Sequence, residues 1–254
     1  NHALAIDPKL AEPHAALALS HMHALRWDLA QQEFKRAIEI DSASPTSRTQ
    51  YGRYLMLVGR IPEAVAQFRI ARRLDPLAAT ASVWLSHTLF MAGQRDEALA
   101  ESRRALELDP QLATARVFLG MDRAFAGKKE EARAIVGGAL TETPWNGSSS
   151  YVLGLVGDTA AARTVLRKLD ALPRNTWMIN TARAYIYLGL GEQDHALTSL
   201  EAAMAARETT PSWISFADRV YDSVRFSPRF AAIIHAAGLD NRGLTSENGG
   251  RPAL

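Results

Sequence analysis

The stretch "ARRLDPLAATASVWLS", residues 71–86, is followed by a near copy, "ALELDPQLATARVFLG", at residues 105–120. Both contain an acidic residue followed by proline at the same place. The acidic residues of four corners are spaced by 34 residues, at Asp7, Asp41, Asp75 and Asp109, and proline follows all of them except Asp41. A fixed period of this length predicts a chain built from stacked copies of one small structural unit.

A second marker is a glycine followed five residues later by an alanine. It recurs with the same period over most of the chain. Between the markers, apolar residues recur at spacings of three and four, as in "EAVAQFRIARRL" at residues 63–74, which predicts helices. Glycine ends a helix in the left-handed conformation, and the proline of "LDP" cannot continue the helix before it. Each unit is therefore predicted to be a helical hairpin, with the marker pairs Gly59/Ala64, Gly93/Ala98, Gly127/Ala132, Gly157/Ala162 and Gly191/Ala196.

Composition excludes several classes of function. The 254 residues contain 29 Lys plus Arg and 27 Asp plus Glu, so the formal charge of +2 predicts no basic surface for direct nucleic acid binding. The absence of cysteine excludes disulfides and thiolate metal sites. No apolar run is long enough to cross a membrane and no signal peptide is recognisable, so we expect a cytoplasmic protein without membrane insertion. The chain begins "NHALAIDP", within the repeating pattern, and we expect it to be a piece of a longer protein.

This pattern resembles the tetratricopeptide repeat (TPR), a 34-residue helix-turn-helix with small residues and a terminal proline at fixed offsets. The resemblance implies an all-α fold, a right-handed superhelical TPR solenoid of antiparallel helix pairs. Repeat 1 departs from the pattern, with "LRWDLA" at its turn and Ser42 in place of proline. The residues that match the small and aromatic positions of the family are Ala30, Phe34, Ala37, Ala64, Phe68, Ala71, Ala98, Ala105, Ala132 and Ala139.

The pattern also predicts domain boundaries. Gly127 and Gly157 are separated by 30 residues, so the fifth repeat is expected to have a short first helix, after a weak joint at "WNGSSS". Two capping helices, "TPSWISFADRVYD" and "SPRFAAIIHAAGL", are expected near the C-terminus. The predicted segments are 1–10, the end of a preceding repeat; 11–144, four repeats; 145–175, a shortened fifth repeat; 176–210, a sixth repeat; 211–239, capping helices; and 240–254, a disordered tail.

The run from Tyr221 to Phe230, "YDSVRFSPRF", resembles the closing motif of TPR regions at the C-terminal ends of bacterial winged-helix transcription regulators, nucleotidyl cyclases and protein kinases. This second resemblance covers about ten residues and does not distinguish between those parent proteins. It implies that the chain is the sensory or regulatory part of a bacterial signalling protein or transcription regulator.

Motifs for catalysis or metal binding are not found in the sequence. "AGKKEE" at residues 126–131 lacks the Ser or Thr and the first glycine of a phosphate-binding loop, so we interpret it as a turn. His21 and His23 are two residues apart and point to opposite sides of a helix, whereas His14 and His21 share a face that the family packs in its core. We therefore predict no enzyme activity, no cofactor and no metal site.

The TPR resemblance implies that a protein or peptide ligand binds along the concave surface made by the first helix of each repeat. Those positions are rich in aromatic residues and methionine, which suits an apolar helix or an extended peptide. The alternative interpretation is that about half of them fill the core between repeats. Arg53 and His87 are the favoured ligand contacts in the predicted partner-binding set of Thr49, Arg53, Val83, Trp84, His87, Phe90, Val117, Phe118, Met121 and Tyr185.

Two further expectations concern partners. TPR domains that hold acidic chaperone tails carry a clamp of Lys, Asn and Arg, and the corresponding positions here include Glu12, Ala15 and Leu19. Because a carboxylate needs charged or amide donors, we predict that such tails do not bind. Self-association through a terminal stacking face, which gives a homo-oligomer, is the alternative to a scaffold that binds a separate partner.

Overall fold

The computed structural model describes residues 10–137, 146–173, 176–208 and 218–240. Within those ranges all regular secondary structure is helical, with thirteen α-helices and one short 3-10 helix. The predictions for residues 1–9, for the tail at 241–254, for Ala139 and for the start of the first capping helix fall outside the described residues. The described residues divide into two compact units, one of residues 10–104 and 238–240 and the other of the remainder.

The first unit contains three helical hairpins, as the 34-residue period predicts. Each hairpin pairs a first helix with a second helix that follows the turn, and α6 extends past the boundary of the unit. The helices are α1 (Ala11–His23), α2 (Trp27–Ile40), α3 (Pro45–Leu57), α4 (Ile61–Leu74), α5 (Ala79–Met91) and α6 (Arg95–Leu108).

The second unit continues the pattern with three more hairpins and a C-terminal segment. Its α-helices are α7 (Ala113–Phe125), α8 (Lys129–Gly137), α9 (Asn146–Leu155), α10 (Thr159–Asp170), α11 (Ile179–Leu190), α12 (Gln193–Ala205) and α13 (Pro228–Ala236), with the 3-10 helix at Arg219–Tyr221. The turn predicted at "AGKKEE" is confirmed, because α8 begins immediately after Gly127 and Lys128.

Predicted small and aromatic positions form the core of each hairpin. Phe34 and Phe68 are fully buried, and the described alanines of the same set are at most 1% exposed. Alanine at these positions lets helix axes approach closely, since a larger side chain would hold them apart. The helical register that the sequence predicts for the repeats is therefore confirmed.

The turn between the two helices of a hairpin is set by backbone conformation. All five predicted turn glycines have positive φ, between 76° and 87°. In repeat 1 the corresponding residue is Leu25, with φ of 56°. Leucine in this conformation is strained because its Cβ crowds the backbone, so the irregular turn of repeat 1 keeps the geometry of the other turns at a cost in stability.

The acidic residue of each described corner has a role that the spacing alone does not show. Asp75 Oδ1 accepts hydrogen bonds from the backbone N–H groups of Leu77, at 3.1 Å, and Ala78, at 3.2 Å. Asp41 and Asp109 accept the equivalent bond from the residue two positions later. These aspartates stabilise the turn between hairpins by the side-chain hydrogen bonding that favours Asp in turns. The turn keeps this bond where proline follows, after Asp75 and Asp109, and where serine follows, after Asp41.

The "WNGSSS" stretch forms more helix than its composition predicts, because α9 begins at Asn146 and includes the glycine and the serines. The weak joint stays a prediction. Tertiary packing overrides their low helix propensity. A Cβ on Gly154 would lie 2.4 Å from the backbone carbon of Gly189, and a Cβ on Gly147 would lie 2.6 Å from Ala182 Cα. Small residues here allow α9 and α11 to pack backbone against backbone. As predicted, α9 is short, with 10 residues against 13 in α7.

Of the two predicted capping helices, the second is found. Ser227 caps α13 by accepting a hydrogen bond from the N–H of Phe230, and Gly238 follows the helix with φ of 68°. The described end of the first predicted capping helix is a 3-10 turn at Arg219–Tyr221, not an α-helix. The prediction of α-helix was wrong there because Asp218 Oδ1 accepts a bond from Val220 N–H and starts a tight turn.

Candidate partner-binding faces

In the first unit, the predicted binding residues come from two first helices, α3 and α5. α5 is enclosed on every side, since each residue from Ala81 to Met91 is buried. His87 is 1% exposed, so a partner could touch it only after a rearrangement. Thr49 is also buried, and its hydroxyl donates to the carbonyl oxygen of Pro45 at 2.8 Å. Val83, Trp84 and Phe90 are buried as well.

Arg53 differs from the rest of this set because it stays partly exposed. Its guanidinium carbon lies 4.8 Å from the centre of the Trp84 ring, within the range of a cation–π contact. Its Nη1 donates to Gln50 Oε1 at 2.9 Å. Burial lowers the pKa of Arg53, although the group stays charged at neutral pH. The structure thus holds one cation in a defined orientation on an aromatic ring from the neighbouring repeat.

His23 belongs to the same region, although the predicted site omits it. Burial lowers its pKa, and the positive charge of Arg53 lowers the pKa further. The sequence contained a signal for this residue. His23 is the last residue of α1, a first helix, and the TPR resemblance implies that first helices form the ligand-binding surface.

In the second unit, the predicted binding residues are Val117, Phe118 and Met121 on α7 and Tyr185 on α11, and all four are buried. The Tyr185 hydroxyl lies 3.4 Å from the hydroxyl of Tyr221, and the ring centroids are 6.4 Å apart. Tyr185 therefore contacts the C-terminal segment of its own chain.

A second contact of this kind lies on α7. The guanidinium carbon of Arg219 lies 4.3 Å from the centre of the Phe125 ring. Tyr185 belongs to the predicted partner-binding set, and Phe125 is the last residue of α7, a first helix. The sequence does not indicate that a segment of the same chain contacts them, because the two sides are separated by 36 or more residues.

The described residues contain no group of three or more His, Cys, Asp or Glu side chains arranged to hold a metal ion. His14, which the sequence places on the same face as His21, lies with Nδ1 2.6 Å from Glu33 Oε2. This contact joins α1 to α2 within the first hairpin. Over the same described ranges, no helix has the length and apolar character needed to cross a membrane.

Comparison with known proteins shows similarity at the level of structure. No family model matches the sequence, and no curated protein matches it. The solved structure of YrrB, a TPR protein with an unusual peptide-binding site, is 21% identical with a TM-score of 0.50, over 79% of this chain and 96% of that chain. PilW, a type IV pilus biogenesis factor, is 17% identical with a TM-score of 0.57, over 77% and 92%.

A third similar structure is the APC/C hetero-tetramer Cut9-Hcn1, 17% identical with a TM-score of 0.57. That match covers 94% of this chain and 48% of the other. Identities this low carry information about the fold and not about the partner. The described helices and these comparisons together show an all-α TPR helical repeat fold.

Proposed function

We propose that this chain is a protein–protein interaction scaffold, and that its partner binds the first unit around Arg53. The observation that carries the proposal is the contact of the partly exposed Arg53 with Trp84. Arginine and tryptophan are enriched among the residues that dominate binding energy at interfaces. The ring and Gln50 restrain the guanidinium, so less conformational entropy is lost when a partner binds it.

The chemistry of Arg53 indicates what the partner presents there. A guanidinium donates several N–H groups in a planar fork and pairs best with a carboxylate or a carbonyl oxygen. Arg53 also adds positive charge near His23, since burial and then the charge of Arg53 lower the pKa of that imidazole. We therefore infer that the partner is a helix or extended peptide with an internal acidic or amide side chain. Peptide binding by a structurally similar TPR protein, YrrB, supports this class of partner.

We also propose that the chain is the C-terminal sensory or regulatory part of a bacterial signalling protein or transcription regulator, and that it acts in the cytoplasm. The sequence resemblance of the run from Tyr221 to Phe230 supports this proposal.

Affinity capture from extract of the source cells tests the proposed site with a charge reversal, Arg53→Glu. The matched control is Arg36→Glu, since Arg36 on α2 is about half exposed and pairs only with nearby Glu39 among its described contacts. We expect a protein retained by the wild type and by Arg36→Glu to be lost from Arg53→Glu. Circular dichroism establishes that both variants are folded. Equal capture by all three chains would contradict the site at Arg53.

Light scattering of the same samples tests the alternative, self-association. A mass that rises with protein concentration in the absence of extract would favour an oligomerisation module. A constant monomer mass, together with a partner lost from Arg53→Glu, supports the scaffold. The homo-oligomer stays a prediction until this measurement.

A further inference from the structure

The turn at Arg219–Tyr221 lies on the face of the second unit that the TPR resemblance assigns to ligands. Arg219 covers the Phe125 ring on α7, and Tyr221 contacts Tyr185 on α11. Two side chains of one short segment, two residues apart, thus contact the first helices of two different repeats. An external peptide on this face would make contacts of the same kind.

The side chains of Arg219 and Tyr221 each make contacts that depend on their own chemical groups. Tyr221 is fully buried, with its ring 5.2 Å from that of Phe230 and its hydroxyl beside that of Tyr185. Burial raises the pKa of the Tyr185 phenol well above its usual value and also raises the pKa of the Tyr221 phenol, so both hydroxyls stay protonated at neutral pH. The Arg219 side chain is partly exposed, and Asp222 Oδ2 lies 3.4 Å from its Nε. The face therefore accepts one phenol and one guanidinium.

The turn also holds its own shape. Tyr221 N–H donates to the carbonyl oxygen of Asp218 at 3.2 Å, and Val220 N–H donates to Asp218 Oδ1 at 3.0 Å. Arg225 donates to the carbonyl oxygen of Asp218 and to Asp222 Oδ1. All four contacts lie within residues 218–225, so a short peptide can form them and loses less entropy on binding.

We propose that this face of the second unit is a recognition site for an Arg-x-Tyr peptide, and that Arg219, Val220 and Tyr221 fill it within the same chain. A partner that carries the same pair of side chains binds by replacing the turn. This site is separate from the partner site proposed around Arg53 and goes beyond it. Its chemistry is also different, because it accepts a cation whereas Arg53 presents one.

The first experiment uses the full chain with Arg219→Ala and Tyr221→Ala together, and a fluorescein-labelled peptide of residues 218–226, "DRVYDSVRF". We expect fluorescence anisotropy to show binding at least about tenfold tighter to the double variant than to the wild type, since the variant weakens the internal competitor. A peptide with alanine at both key positions serves as the matched control and should not bind. A folded double variant that binds the peptide no more tightly than the wild type does would overturn the proposal.

Hydrogen exchange on the wild-type chain tests whether the turn leaves the face, even if the double variant unfolds. The amides of Tyr221 and Val224 donate to Asp218 and Tyr221 carbonyl oxygens, so their exchange reports release of the turn. We expect them to exchange at least about tenfold faster than the amides of Ala184 and Leu188 in α11. Equal rates would show that the turn leaves only when the unit unfolds, which would overturn the proposal. Neither experiment involves Arg53, so its outcome is independent of the partner site in the first unit.

Discussion

The Glu208 carboxylate accepts two hydrogen bonds from Thr181 at the start of α11, one from the backbone N–H at 2.8 Å and one from the hydroxyl at 2.9 Å. Its other oxygen accepts from the N–H of Asn180 at 3.1 Å and from the Asn180 side chain at 2.7 Å. The helix needs this partner because Met178, its N-cap residue, has φ of 61° and makes no side-chain cap. A carboxylate also suits the positive end of a helix.

Glu208→Gln should lower the free energy of unfolding by about 1 to 3 kcal/mol, because the amide NH₂ would face donors and leave buried N–H groups without an acceptor. Urea unfolding monitored by circular dichroism measures this change. Glu107→Gln, at an exposed position of α6, is the control and should alter stability by less than about 0.5 kcal/mol. Equal effects of the two substitutions would show that the carboxylate does not stabilise α11.

Ala98→Trp should cost about 1 to 3 kcal/mol or more, because Ala98 is buried at a helix crossing and tryptophan would overpack it. Ala100→Trp, two residues along α6, is the control and should cost much less because Ala100 is exposed. Both variants replace alanine by tryptophan in the same helix. Similar midpoints of urea unfolding for the two variants would contradict the register of α6.

Leu25→Gly should raise the free energy of unfolding by about 1 kcal/mol, because glycine adopts the left-handed conformation of this turn without strain. Gly93→Ala, at the equivalent turn two periods later, should lower it by a similar amount. An added Cβ on Gly93 meets nothing within 4 Å, so that loss reports backbone strain alone. Thermal unfolding of both variants checks the opposite signs, and a loss of stability in Leu25→Gly would indicate that the packing of the leucine outweighs the strain.

Stability should fall as the pH rises above about 10, the usual pKa of tyrosine. Burial raises the pKa values of Tyr151, Tyr185 and Tyr221, so the unfolded chain releases these protons first. The stabilisation is fully present below pH ~10 and is lost above it, by at most about 1.4 kcal/mol per pH unit for each group.

The measurement is the free energy of unfolding in urea at several pH values between about 8 and 11. Tyr221→Phe keeps the ring and removes one phenol, so its pH dependence should be shallower than that of the wild type. An unchanged slope would show that Tyr221 ionises as easily in the folded chain as in the unfolded one.

Much of the fold could be predicted from local signals. The period of 34 residues, the turn glycines and the small residues at Ala64, Ala98 and Ala132 are each decided within one or two hairpins, where neighbours in sequence are neighbours in space. The sequence was less informative for "WNGSSS", because the glycines of α9 are explained only by the backbone of α11. Helix propensity is a weak signal when a distant surface requires small residues.

The sequence predicts the location of the candidate site better than its exposure. The predicted residues lie on first helices, and Arg53 is partly exposed, while their role in binding stays a prediction. The sequence could not show the burial of His87 or the contact of Tyr185 with Tyr221, because both depend on which parts of the chain cover a helix face.

The sequence by itself determined the TPR hairpins of this protein, because periodic apolar residues, glycine and proline act through the conformation of adjacent residues. Tertiary structure alone decided that Glu208 caps α11, that Arg53 stacks on Trp84 and that Tyr221 covers Tyr185. Each of these contacts joins residues about 30 positions apart, and nothing in the local backbone preference of either partner requires the other. Function in a repeat protein depends on such contacts, since they determine which part of the repeated surface is left for a partner.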